Sequence, residues 1–267
     1  MLLIGQIAST SVFLLIVLLF CLYFLTFEVG FRLGRWLGER NAVQPEGAAV
    51  LLGGMLTLFS FVLGLSLSLA MVRVAERREA ILDEAAAIST ALLQTQAIAD
   101  PRAAEIGRRL DEYQRLRRDF VAAPPDPAVL DDLDRRTVAM QAEIWAQLIV
   151  IARERPDPVV ATLMSSLTAT FDAGNAVRFA LDFPLVPALR QLVAAVALLT
   201  MAALGVLLGV RGKRMAGLVA LLIVMSCSVL LYIFDAAAAR IGQQRPPTDV
   251  YEWNIEAISA GTPGTPR

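Results

Sequence analysis

The chain alternates between long apolar runs, mostly free of charge, and amphipathic stretches that repeat every three to four residues. About 20 apolar residues suffice to cross a bilayer as a helix, and four runs reach that length: 2–27, 47–72, 187–210 and 215–234. The first lacks a basic start and has too long an apolar core for a cleaved signal peptide, so it reads as a retained anchor. The second contains no charge and passes, without Pro or Gly, into 73–98, which is rich in Arg, Glu, Asp and Ala. One helix over 47–98 is therefore expected, on the order of 75 Å long at about 1.5 Å per residue. Such a helix would couple a membrane bundle rigidly to whatever lies outside it.

Three further helices are announced by one dipeptide. Asp100-Pro101, Asp126-Pro127 and Asp157-Pro158 each put an N-cap carboxylate before a proline at the first helical position, where a missing N–H costs nothing. The first helix turns Ala103, Ile106, Leu110, Tyr113, Leu116 and Phe120 to one side. The second offers Leu130, Leu133, Thr137, Met140, Ile144, Leu148 and Ile151, and the third Val160, Leu163, Leu167 and Phe171. With Val74, Ile81, Ala85, Ile88 and Leu92 of the long helix, these stripes suffice for a bundle. Runs such as Arg115-Leu116-Arg117-Arg118 read as solvated faces.

The fold class is therefore an all-α integral membrane protein: four transmembrane helices with a large helical-bundle insertion between the second and third. The divisions are a first transmembrane hairpin over 1–72, an extramembrane bundle over 73–186 and a second transmembrane hairpin over 187–235. A polar, partly disordered tail over 236–267 follows. Asn41 to Glu46, with Pro45, makes the first turn. Phe183-Pro184 and Val186-Pro187 end the bundle, and Tyr251 and Trp253 are candidates to dock the tail on the bundle or the lipid surface.

Composition removes function classes. Hydrophobic residues make up 57% of the 267, and the mean hydropathy is +0.61, which excludes an ordinary soluble domain. A net charge of −1 gives no electrostatic reason to expect nucleic acid. The bundle itself, with 14 Arg against 18 Asp and Glu, is mildly acidic, about −4. His is absent, and Cys21 and Cys227 both sit in apolar spans where a thiol acts as a small hydrophobe. Pairs such as Asp83-Glu84 splay apart on a helix, so nothing assembles catalytic roles, a metal site or a cofactor cradle. We expect no enzyme and no cofactor.

Small residues carry the remaining signals. Gly30, Gly34 and Gly38 recur every four residues, as do Gly205 and Gly209, a spacing that lets another helix approach closely. Glu28 and Arg32 form an i, i+4 pair beside them; a solvated helix end with snorkelling Arg32 and Arg35 is the competing reading. In the second span Gly53, Thr57, Ser60, Gly64 and Ser68 fall at steps of four, three, four and four. That stripe is either a packing face or a water-facing wall lined with hydroxyls. Continued outward, the face reaches Arg78, which would sit at a pore mouth. Phe59 and Phe61 could supply an apolar constriction, one of the two facing away from any given axis.

The order of these elements resembles the bacterial bestrophin-like membrane domain family, a family of unknown function whose name implies kinship with bestrophin anion channels. The likeness runs from about Glu28 to Asp235 and rests on Gly30-Phe31-Arg32-Leu33-Gly34-Arg35, on Phe61 to Ala70, on Arg77-Arg78 and on Glu84 to Ala91. The family usually has Asn in place of Ala86 and Gly in place of Ser89. It carries Asn, Glu and His around Asp172, where Thr168, Ala169 and Gly174 stand here, and Asp-Arg-Pro where Asp235 is followed by Ala236 and Ala237. The resemblance implies a bacterial plasma-membrane homo-oligomer, a pentamer among the options, with the second span around a central pore for small anions. The alternative is a non-conducting scaffold or sensor whose helical domain binds a partner. Basic residues split six to six between the short loops and the domain side. Short loops weigh more in the positive-inside rule and favour short loops in the cytoplasm; bestrophin kinship implies the reverse.

Overall fold

The computed structural model describes residues 2–40, 44–182, 187–238, 240 and 247–259. The expected turn residues Asn41 to Val43, the exit from the bundle at Phe183 to Val186, and the Gly/Thr/Pro end of the tail lie outside them. Eight helices occupy the described residues: α1 (Leu2–Glu39), α2 (Pro45–Gln96), α3 (Pro101–Ala122), α4 (Pro127–Glu154), α5 (Pro158–Asp182), α6 (Pro187–Val210), α7 (Ala216–Ala237) and α8 (Asp249–Ser259). Helix α2 passes Arg73 unbroken for 52 residues, about 78 Å at 1.5 Å per residue. It begins and ends two residues earlier than the apolar pattern suggests, because Pro45 serves as the first helical residue. Four helices, α1, α2, α6 and α7, are long and apolar enough to cross a membrane.

The chain divides into two compact units, 1–73 with 185–238 and 74–184 with 239–267. In the first, α1 and α6 meet backbone to backbone. A Cβ at Gly30 would lie 2.2 Å from the Ala202 carbonyl oxygen, and one at Gly34 2.1 Å from that of Val206. The approach is reciprocal: Gly205 faces the Phe27 carbonyl at 2.3 Å and Gly209 that of Phe31 at 2.3 Å. Gly38 lies one turn on, with Val210 Cα 3.3 Å from its Cβ position. The close partner for these glycines is a helix of the same chain. Tyr23, Phe27, Phe31, Phe59, Met201 and Leu230 fill the core around this contact.

In the second unit, the three Asp-Pro starts cap as expected. Asp100 accepts the Arg102 N–H at 2.8 Å, Asp126 that of Ala128 at 3.0 Å and Asp157 that of Val160 at 2.9 Å. The apolar stripes of α2 to α5 make one core around Ile81, Ile88, Leu110, Ile144, Leu148 and Leu163, all fully buried. Helix α8 was not legible in the polar tail, yet it packs into this core through Tyr251.

Replacing Gly34 with Val should separate α1 from α6, since overpacking at backbone contact costs about 1–3 kcal/mol or more. Thermal unfolding in detergent should show a clear fall in Tm for Gly34→Val. It should show almost none for Gly217→Ala, whose Cβ would meet nothing within 4 Å.

Candidate functional site

Helix α2 presents three sectors, set by the roughly 100° turn per residue of an α-helix. Leu52, Phe59, Ser66 and Ala70 are buried in the first unit. Leu51, Leu58, Leu65 and Leu69 form a second line, large and exposed. The third is the stripe of Gly53, Thr57, Ser60, Gly64 and Ser68, every member of which is exposed. A Cβ at Gly53 or Gly64 would meet nothing within 4 Å, so among the described residues no other helix packs there. Thr57 donates its hydroxyl to the Gly53 carbonyl at 3.0 Å, which leaves its oxygen lone pairs outward.

The aromatic pair separates. Phe59 is 4% exposed and belongs to the core of the first unit, whereas Phe61 is 68% exposed and borders the stripe. Two residues apart on a helix are about 200° apart, so Phe59 is withdrawn from the expected constriction and Phe61 alone remains. Arg78 is exposed and continues the stripe's side of α2. Arg77, its neighbour, is buried.

A second constellation lies inside the second unit and escaped the sequence reading. Glu84 is 0% exposed and Arg117 2%. Arg117 Nε donates to Glu84 Oε1 at 2.5 Å, and its Nη2 donates to the Gly174 carbonyl at 2.8 Å. The Tyr251 hydroxyl donates to the other carboxylate oxygen, Glu84 Oε2. Gln114 Nε2 holds the Tyr251 carbonyl at 3.0 Å and Asn254 Nδ2 the Ala85 carbonyl at 3.0 Å, so α8 is fastened at three points. Arg117 also stacks on Phe120, with Arg240 across the same ring at the same 4.7 Å. The expectation that Arg115 to Arg118 is a solvated face fails at Arg117 because that residue shares the buried side of α3 with Tyr113 and Phe120.

Burial would lower the Arg117 guanidinium, but the Glu84 charge beside it reverses the direction and holds it protonated. Burial, then the Glu84 charge, raises Tyr251. Burial pushes Tyr113 up to about 12. Gly174 is small for a reason: a Cβ there would stand 2.8 Å from the Tyr113 oxygen and 3.0 Å from Glu84 Oε1. The donors and acceptors of Glu84, Arg117 and Tyr251 are spent on one another, while the buried Gln114 Oε1 has no partner among the described residues. The work of the cluster is to hold α8 rather than to bind a substrate. One signal was readable: Glu84 falls between Ile81, Ala85 and Ile88 on the apolar stripe of α2. Nothing in the sequence marked Tyr251 as its partner.

No family model matches the sequence, and no curated protein matches it. Solved structures do. A bacterial bestrophin homologue from Klebsiella pneumoniae aligns with a TM-score of 0.65 at 16% identity, over 94% of this chain and 100% of its own. A variant of such a homologue from the same organism gives 0.67 at 14%, over 94% and 99%. A crystal structure described as a membrane protein gives 0.61 at 13%, over 96% and 99%. The chain thus has the bestrophin-like fold of a multi-pass membrane protein, carried by a divergent sequence.

Glu84→Ala should cost about 3–5 kcal/mol by leaving Arg117 buried without its counter-charge. Tyr251→Phe should cost about 1.5–3 kcal/mol, the range for a hydrogen bond to a charged group. Thermal unfolding followed by circular dichroism would rank them. The unfolded chain ionises Tyr near pH 10, while the folded chain keeps Tyr113 and Tyr251 neutral to higher pH. Their contribution is therefore complete below about pH 10 and declines above it, and Tyr251→Phe should flatten that alkaline decline.

Proposed function

We propose that the chain assembles as a homo-oligomeric anion channel of a bacterial plasma membrane, with α2 of each copy facing a shared axis. The observation that carries this reading is the stripe of Gly53, Thr57, Ser60, Gly64 and Ser68, exposed and distinct from the large leucines beside it. Packing between helices is the usual use of small residues in membranes. Within the first unit the glycines that pack against another helix of the chain are in α1 and α6, and the α2 stripe is left over. A ring of hydroxyls with an outlying ring of guanidinium groups from Arg78 favours small anions over cations. Phe61 would narrow the path with an apolar ring that can dewet. Two of the similar folds are described as bestrophin homologues, which supports the same reading. Their kinship makes five copies the first subunit count to test.

Purified protein in planar bilayers should pass anion-selective current. Ser60→Leu should reduce conductance several-fold, and Arg78→Glu should lower the anion-to-cation permeability ratio. Intact oligomers that stay silent, or an oligomer with α2 on its periphery, would overturn the reading and leave a non-conducting scaffold.

A further inference from the structure

The protein as a whole carries a net charge of −1, yet one end of the first unit gathers six cations: Arg32, Arg35, Arg40, Arg211, Lys213 and Arg214. The fold brings them together. The glycine contact of α1 with α6 carries both helices to the same end, where Gly38 meets Val210. Helix α6 then stops in a tight reversal. Gly212 takes φ +65, its N–H reaches the Gly209 carbonyl at 3.1 Å, and the Lys213 N–H reaches that of Leu208 at 3.2 Å. This is the left-handed glycine stop that closes many helices, and it leaves Arg211, Lys213 and Arg214 all exposed.

Most of the local negative charge is already engaged. Glu28 binds Arg32 at 3.1 Å and Arg214 at 3.3 Å, and Arg214 also lies across the Phe31 ring. Arg40 stacks on Trp36. Arg35 has a loose 3.8 Å contact with exposed Glu39. Among the described residues no carboxylate lies within salt-bridge reach of Arg211 or Lys213. Beside these cations Trp36, Met215 and Leu218 are exposed, so the patch is apolar as well as basic. A free anion uses only the charge; a phospholipid uses both.

We propose that this end of the first unit is a headgroup site for anionic phospholipids. Arg211, Lys213 and Arg35 hold the phosphate, while Trp36, Met215 and Leu218 lie along the glycerol and upper acyl chain. Arg214 is a positioning residue, tied to Glu28 and Phe31, that fixes the loop against α1. The site rests on the four-span membrane fold and is independent of whether the protein conducts.

Lys213 is the sole lysine of the chain, which gives the test a site-specific readout. Full-length protein is placed in nanodiscs of phosphatidylglycerol or of phosphatidylcholine, treated with an uncharged acetylating reagent, and Lys213 acetylation is followed by mass spectrometry. The expected result is severalfold slower acetylation in phosphatidylglycerol, with Arg35→Gln restoring most of the rate. In parallel, R211Q/K213Q should retain about 25-fold less phosphatidylglycerol through purification, each charge at an anionic surface being worth about fivefold. R153Q, on exposed α4 surface, should retain the wild-type amount. Equal acetylation in the two lipids would overturn the proposal. So would equal retention by R211Q/K213Q, or inorganic phosphate in detergent slowing acetylation as much as phosphatidylglycerol does.

Discussion

A single helix can turn each of its faces to one environment only, and in α2 that constraint decides what the rest of the chain can be. In the first unit Leu52, Phe59 and Ala70 lie along one line and are buried, and in the second unit Ile81, Glu84 and Ile88 do the same. The separations of seven and eleven residues in the first, and of three and four in the second, each return close to the same side of a 3.6-residue turn. With that face committed, Leu51, Leu58, Leu65 and Leu69 suit acyl chains, because large side chains gain dispersion contacts there. A glycine or serine in the same place would forfeit them. The small stripe is therefore poorly explained as a lipid-facing surface. The proposed assembly would account for it, with other copies supplying the environment that the stripe meets.

The polar cluster in the second unit obeys a different economy. Replacing a buried ion pair with well-packed hydrophobes is often neutral or stabilising, so Glu84 and Arg117 are a weak explanation for why the bundle is stable. That stability comes from side chains such as Ile81, Ile144, Leu148 and Leu163, each worth about 1.5–3 kcal/mol when fully buried. The ion pair instead selects one arrangement. A buried carboxylate must be met by donors of fixed direction, and among the described residues α3 with Arg117 and α8 with Tyr251 supply them. Gly174 belongs to the same requirement, since any side chain at that point of α5 would occupy the space of the pair.

What could be read from the sequence follows from the range of the physics behind it. Helix starts at Asp100, Asp126 and Asp157 depend on neighbours two or three residues away, and apolar stripes depend on a local period; both were legible. The continuity of α2 past Arg73 was legible as the absence of any breaker. Helix α8 was not, because its polar flanks hide an 11-residue helix whose anchor lies 167 positions upstream at Glu84. Arg117 was misread for the same reason. Its neighbours Arg115 and Arg118 point outward, and a run of three arginines hides the one that turns in. The separation of Phe59 from Phe61 was fixed in kind by helical geometry, but which one faced inward depended on the packing of α1, α6 and α7.

Glycine shows most plainly where local reading stops. Gly30, Gly34, Gly205 and Gly209 recur at four-residue spacing, and Gly53 and Gly64 lie in a stripe with nearly the same rhythm. Sequence alone assigns both groups the same pair of meanings, close packing or open space. The distances separate them completely: about 2 Å to a neighbouring carbonyl for the first group, nothing within 4 Å for the second. A residue without a side chain is required where backbones touch. Where they do not touch, a glycine in a stripe with Thr57, Ser60 and Ser68 leaves room outside the chain, and under the proposed assembly that room would go to another copy's backbone or to a column of water and ions.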